Sequence, residues 1–429
     1  MTARSFAASA ASVESVALPG ESVAGDRARG GSLDDLRRRN LGSVLRVAHL
    51  RGDCSRADIT RDTGLNRSTV KGLVADLVAA NILIQGRTEK SGTVGRPSPV
   101  VCVSDAVKVL AINPEVDSTA GALVGLNGQV FARAQVSHDS SPSSGDVVAA
   151  TGELLRTLAP TGELRGIGVA VPGLVDAKSG TVVVAPHLGW QDVALADLLR
   201  QAYGFPVVVD NDANCGVVAE ALFGAGRGRE TIVYLNGGAS GIGGSVARGG
   251  SLVAGTHGYG GEFGHILVNS LGERCHCGAD GCLETEVTRS RLLAALGDVP
   301  VAQLDEELLR CSAINSARSR IEHAANSDAG RLVVAELDRQ MRYLAIAART
   351  VVNITNPERL ILGGFLASML NACGMDAIDT ELRRALPGAR DDMEVVTAEL
   401  GRDILAVGAA ELVLRDVIAD PLSTRTAVH

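Results

Sequence analysis

The hydrophobic rhythm of the chain changes once, near residue 100. Before that point apolar positions recur at helical spacing. Leu41, Val44, Leu45 and Ala48 share one face after Asn40. Ser55-Arg56-Ala57-Asp58 reads as a capping box that opens a second helix running to about Thr63. Gly64-Leu65-Asn66 is a short turn, and Asn66 or Ser68 caps a third helix. Val70, Leu73, Val74, Leu77 and Val78 form its apolar face, Asn81 ends it, and Ile82-Leu83-Ile84 begins a strand. Gly86 to Pro99 is polar, basic and rich in Gly and Pro, the pattern of a hairpin wing. From Val101 onward short apolar runs take over: Val107–Ile112, Ala122–Leu126, Ile167–Val171, Thr181–Val184, Val207–Val209 and Ile232–Leu235 read as strands. Residues 288–352 are mostly helical by pattern, Leu360 to Gly364 is a strand entering a turn, and a last helix spans about Ile404 to Val417.

These patterns divide the chain into residues 1–31, which show no sustained period and are expected to be a disordered leader, a helical module at 32–100, and a mixed α/β region at 101–429. The 50 glycines among 429 residues suit an α/β architecture with many tight turns, whereas aromatics, at 3%, are scarce. No apolar run reaches membrane-spanning length and no continuous apolar segment marks a signal peptide, so the expected location is cytoplasmic, with the nucleoid as the place of work and no membrane partner.

Charge separates the two regions. Residues 32–100 hold twelve Arg and Lys against seven acids, whereas the whole chain carries −8. A basic module on an acidic body points to a polyanion at one end only. Within that module the third helix offers Asn66, Arg67, Ser68, Thr69 and Lys71 near its start, side chains that reach base edges in a major groove. Arg56 and Arg61 are placed for phosphates, and Gly95-Arg96-Pro97 holds a guanidinium on a stiff wing turn suited to a minor groove. The capped helix, glycine turn, basic excess and wing together predict a winged helix-turn-helix that binds operator DNA.

Three of the eight cysteines fall within eight residues, in Cys275-His276-Cys277-Gly278-Ala279-Asp280-Gly281-Cys282. Three thiolates and one imidazole close a tetrahedral zinc site, and Gly278 and Gly281 permit the backbone path that brings Cys277 and Cys282 together. His265 is the preferred fourth ligand, with His276 in competition. With all four positions filled by protein the expected zinc is structural.

These motifs resemble the ROK family (repressor, open reading frame, kinase) over residues 32 to about 418. The resemblance is carried by Glu262-Phe263-Gly264-His265, the cysteine cluster ending in Gly281-Cys282-Leu283-Glu284, Asn211-Asp212-Ala213-Asn214 and Val171-Pro172-Gly173. It implies a two-lobed, actin-like sugar-kinase fold behind the winged helix, with lobe one at about 101–225 plus a returning helix at 402–418 and lobe two at about 226–401. It also implies a homodimer or homotetramer. The family's sugar ligands fall on Asn211, Asp212, Glu262, His265 and Glu284, with Asp212 at the kinase general-base position.

The departures from that pattern concern the nucleotide. Family kinases open the first lobe with Asp-x-Gly-Gly-Thr, whose amides approach phosphates. The corresponding stretch is Asn113-Pro114-Glu115-Val116-Asp117, which lacks glycines, loses an amide at Pro114 and adds two negative charges. The second Gly-rich stretch, Gly237 to Gly244, survives in part, and Phe365 follows Gly363-Gly364 where a further glycine is usual. The expectation is therefore a non-enzymatic regulator without ATP, most simply a repressor of carbohydrate-utilisation genes released by a sugar or sugar phosphate. The competing expectations are a glucokinase-like enzyme with a DNA-binding extension and a constitutive DNA-binding protein whose second domain only dimerises.

Overall fold

The computed structural model describes residues 33–86, 99–159, 164–297, 300, 303, 304, 308 and 328–423. Arg96 and the wing tip around it lie outside the described residues, as do the leader and most of 298–327.

The chain begins with helix α1 (Leu33–Arg51), strand β1 (Cys54–Ser55), α2 (Arg56–Thr63) and α3 (Arg67–Ala79). Strands β2 (Leu83–Gln85) and β3 (Val100–Val103) follow, and the three strands form an antiparallel sheet in the order β1-β3-β2. The capping box at α2 is complete: Asp58 N–H donates to Ser55 Oγ at 3.1 Å, and Ser55 N–H donates to Asp58 Oδ2 at 3.0 Å. Gly64 ends α2 in the left-handed conformation, φ 67°, where a side chain is strained. Asn66, not Ser68, caps α3, its Oδ1 accepting from Thr69 N–H at 2.9 Å.

The first lobe is a five-stranded sheet whose strands lie in the order Val207–Asn211, Ile167–Val171, Lys108–Pro114, Ser118–Gly125 and Val130–Ser137. Strands β4 (Lys108–Pro114), β5 (Ser118–Gly125) and β6 (Val130–Ser137) form a meander, and α4 (Ser144–Leu158) leads to β7 (Ile167–Val171). A small sheet of β8 (Leu174–Asp176), β9 (Thr181–Ala185) and β10 (Trp190–Val193) stands beside it. Helix α5 (Leu195–Tyr203) then returns to β11 (Val207–Asn211), which pairs parallel with β7. Helix α6 (Asp212–Phe223) crosses to the second lobe, whose strands β12 (Thr231–Gly238), β13 (Gly241–Arg248), β14 (Ser251–Leu252), β15 (Arg359–Gly364) and β16 (Glu394–Thr397) pair in the order β14-β13-β12-β15-β16. The helix Asp328–Thr355 packs on that sheet. The C-terminal helix, Ile404–Ala419, returns to lie against β4, β7 and α6 of the first lobe.

Several strands differ from the sequence reading. β6, β8, β10, β14 and β16 were not expected, and the second Gly-rich stretch ends β12 and begins β13, with only Ala239-Ser240 left as the turn. Glycines occur inside β13 because other groups approach it: a Cβ on Gly244 would lie 2.7 Å from the Phe263 ring.

The helical module shares its apolar core with the first lobe. Leu41, Val44, Leu45, Ile59, Val74 and Val101 form one buried cluster with Val107, Val109, Ala410, Leu414 and Ile418. α1 meets the C-terminal helix closely enough that a Cβ on Gly42 would stand 2.7 Å from the Ile418 carbonyl. The C-terminal helix approaches α6 as tightly, with Gly408 against the Cys215 carbonyl. Among the described residues no helix is long and apolar enough to cross a membrane.

Candidate functional site

The carboxyl ends of β7, β11 and β12 are tied together, the turn after β7 through Gly173 to Asn211 and Asn236 of β12 to Asp212, at the usual ligand edge of parallel strands. Asn211 closes β11 and caps α6, its Oδ1 accepting from Ala213 N–H at 2.8 Å and Asn214 N–H at 3.1 Å. Its amide also donates to the Gly173 carbonyl at 2.9 Å, which ties the Val171-Pro172-Gly173 turn to the helix. Asp212, the first residue of α6, accepts from Asn236 Nδ2 at 3.3 Å. Burial pushes the Asp212 carboxyl up to about 7, and Glu115 and Glu262 add to the rise.

On the second lobe Glu262 and His265 flank a short turn (Phe263–His265), and Glu284 lies just beyond Cys282. The His265 ring divides its nitrogens. Nδ1 stands 3.5 Å from Cys275 Sγ and 3.5 Å from Glu284 Oε1, and Nε2 stands 4.0 Å from Glu262 Oε2. Burial and the neighbouring Glu284 raise the Glu262 pKa. The β12–β13 hairpin presses against this set: at Gly241, φ 117°, a Cβ would lie 2.6 Å from Glu284 Oε2.

His265, Cys275, Cys277 and Cys282 bring one donor atom each within 4.8 Å of all the others, so this cluster could bind a metal. Cys277 Sγ and Cys282 Sγ are 3.7 Å apart. That is far beyond a disulfide and matches the edge of about 3.8 Å that two thiolates subtend around a tetrahedral ion at about 2.3 Å. The 3.5 Å between His265 Nδ1 and Cys275 Sγ fits the shorter nitrogen–sulfur edge. His276 is not in this group of four; its Nδ1 contacts Glu284 Oε1 at 3.1 Å, and its ring lies 5.2 Å from that of His265 and 6.1 Å from that of His187. Gly281, φ 70°, makes the loop possible, since a Cβ there would run into the Asn269 carbonyl.

On the N-terminal module Arg67, Ser68 and Lys71 are exposed at the start of α3, and Thr69 is half-buried. Asn66 is exposed but already engaged as the cap, also accepting from Ser68 Oγ at 2.6 Å. Arg56 is tied to the wing strand, donating to Gln85 Oε1 at 2.8 Å, while Arg61 pairs with Asp58 at 2.6 Å.

Several polar residues escaped the sequence reading. Tyr234 Oη donates to Asn236 Oδ1 at 3.1 Å and so orients the amide that meets Asp212. Buried Asp210 accepts from Asn214 Nδ2 at 2.9 Å, and Asn214 Oδ1 accepts from Ser245 Oγ at 2.7 Å, which joins β11 to β13 through α6. Asn236 left one visible signal, a polar residue that interrupts an apolar strand.

Comparison with known proteins sets this geometry in context. The xylose repressor of Bacillus spizizenii is 29% identical over 84% of this chain and 91% of its own length. The glucokinase of Thermotoga maritima is 30% identical over 68% of this chain and 92% of its own. A crystal structure of a ROK family transcriptional regulator, a homologue of the E. coli Mlc protein, superposes with a TM-score of 0.70 at 26% identity, covering 91% of this chain and 98% of that one. The repressor and regulator matches take in a larger share of the chain than the glucokinase match does. The family model described as ROK matches residues 109–416, and this chain belongs to the ROK family.

Proposed function

We propose that this chain is a sugar-responsive transcriptional repressor whose α3 reads operator DNA and whose cleft takes a sugar through Asn211, Asp212, Glu262, His265 and Glu284. The observation that carries the reading is the continuous core that welds the winged-helix module to the C-terminal helix, and that helix to the helix bearing Asp212. The xylose repressor and the Mlc-like regulator support it as relatives that match most of the chain. A repressor of this build works in the cytoplasm as a homodimer or homotetramer, so that two α3 helices meet successive major grooves.

The residues divide the work by chemistry. Asp212, Glu262 and Glu284 accept hydrogen bonds from sugar hydroxyls, and His265 Nε2, on the Glu262 side of the ring, adds a further polar contact. His265, Cys275, Cys277 and Cys282 hold a structural zinc ion, which supplies a fixed crosslink and orients the His265 ring. A sugar that bridges Asp212 on α6 and Glu284 on the second lobe favours one lobe arrangement. α6 and the C-terminal helix carry that preference to α1 and change the spacing of the paired recognition helices. Asn113 to Asp117 offers no phosphate cradle: Asn113 is spent on the Ala170 carbonyl at 3.0 Å, and Pro114 has no amide.

Electrophoretic mobility shift with promoter DNA and a sugar panel tests the reading. A sugar that releases the complex supports it; DNA binding indifferent to every sugar and sugar phosphate counts against it.

One observation favours a second reading, a sugar kinase with a DNA-binding extension: Asp212, pushed up to about 7, is poised as a base near neutral pH. An ATP-coupled assay separates the two, since phosphorylation abolished by Asp212→Asn requires the kinase.

A further inference from the structure

The Glu284 side chain is only 9% exposed, and a carboxylate so enclosed needs donors. Its Oε2 lies on the β13 side, 2.6 Å from the Cβ position of Gly241. Asp212 Oδ1 lies 3.7 Å from that of Gly243, so the two carboxylates meet one face of the same strand. Three groups reach the other oxygen of Glu284, Oε1: Cys275 Sγ at 3.0 Å, His276 Nδ1 at 3.1 Å and His265 Nδ1 at 3.5 Å. Metal ligation divides these three. A zinc-bound cysteine is a thiolate and a zinc-bound nitrogen has given its lone pair to the ion, so neither keeps a proton to donate. His276 stands outside the group of four, and its Nδ1–H is the donor that remains to meet a carboxylate, which only accepts.

His276 is 43% exposed, yet two rings flank it edge-on. The His265 ring lies 5.2 Å away at 77°, and the His187 ring of the first lobe lies 6.1 Å away at 80°. His187 is itself fixed in the turn Pro186–Leu188, its carbonyl accepting from Ser141 Oγ at 2.9 Å. The His276 imidazole is therefore held from both lobes. We propose that His276 is a positioning residue of the sugar site: in the zinc-loaded chain its Nδ1–H fixes Glu284 Oε1 and leaves Oε2 to accept from a sugar hydroxyl. This rests on the reading of a sugar site beside a structural zinc ion, and adds a residue that acts through Glu284 and not on the metal.

Isothermal titration of the zinc-loaded full chain with a panel of glucose, xylose and N-acetylglucosamine tests this, with zinc counted by elemental analysis. For the sugar that binds, His276→Ala is expected to weaken affinity about tenfold while one zinc per chain remains. His276→Asn, whose amide donates from nearly the position of Nδ1, is expected to recover most of that loss. His276→Leu, which fills the space without a donor, is not. Unchanged sugar affinity in His276→Ala overturns the inference, and so does equal weakening in His276→Asn and His276→Leu. Loss of zinc from His276→Ala overturns it as well, because the imidazole is then a metal ligand. Absence of binding by the whole panel to the wild-type chain overturns the sugar reading itself, and this inference with it.

Discussion

His49 Nε2 of the first helix stands 3.2 Å from Glu411 Oε2 of the C-terminal helix, with the two side chains 2% and 5% exposed. Nδ1 of the same ring accepts from Asn127 N–H at 3.0 Å, so the imidazole touches three elements at once. The ring edge packs on Phe223 at the end of α6, with centroids 5.1 Å apart. Arg46 lies in the field of Glu411, and burial lowers its pKa. A buried pair of this kind is costly to break from one side, because the partner is left uncompensated in a low dielectric.

The first prediction follows from that pair. His49→Ala is expected to lower unfolding stability by about 3 kcal/mol, a cost that a double-mutant cycle with Glu411→Gln assigns to the contact. Urea unfolding of the four proteins measures it. Additive effects of the two substitutions would show that the contact carries no energy.

The second concerns the recognition helix. Lys71→Ala is expected to weaken operator binding and to reduce the salt slope by about one, because Lys71 is a cation exposed at the start of α3 and does not hold the fold. The melting curve should match that of the wild type. Operator affinity equal to the wild type across a salt series would remove Lys71 from the interface.

The third concerns the metal. One zinc per chain is expected by elemental analysis, lost in Cys277→Ser. Burial raises the Cys275 and Cys282 thiols, with a hydrogen bond to Glu284 adding to the rise at Cys275, while the Ala279 N–H lowers Cys277. Metal binding must therefore release protons, and affinity should fall as pH falls. Zinc content unaffected by Cys277→Ser would contradict the assignment.

The fourth is a pH dependence. The Asp212 carboxyl rises from an ordinary 3.8 to about 7 on folding, chiefly through burial, so the folded chain holds this proton more tightly than the unfolded chain. Its contribution to stability is complete below the unfolded value and is lost as pH rises through about 7. Asp212→Asn should accordingly exceed the wild type by of order 2 kcal/mol near pH 8, with the difference vanishing toward pH 4. A difference that does not change with pH would contradict the burial of a titrating carboxyl.

What could be read from the sequence was local. The Ser55–Asp58 capping box, the end of α2 at Thr63 and strand Ile167–Val171 all appear in the structure where their residues predict them, because each depends on neighbours within one turn or one strand. α1 begins earlier than its apolar period, at Leu33, since its first two turns carry charges and exposed leucines and leave no stripe to read. β13 was hidden because its glycines make room for Phe263 and Ala213, residues distant in sequence. Of the site, the cysteine spacing and the five residues proposed to meet the sugar were visible as motifs. Asn236, Asp210 and the His49–Glu411 pair were not, because their partners are set by the tertiary fold alone.

Coupling between cleft and DNA is read from the operator affinity of the purified full chain with and without the sugar that raises its melting temperature. Saturating sugar is expected to shift operator affinity by at least about fivefold, the lower end of ordinary allosteric coupling. Glu284→Ala is expected to abolish the shift while keeping the sugar-free affinity. A sugar that binds the wild-type chain and leaves operator affinity unchanged would contradict that coupling.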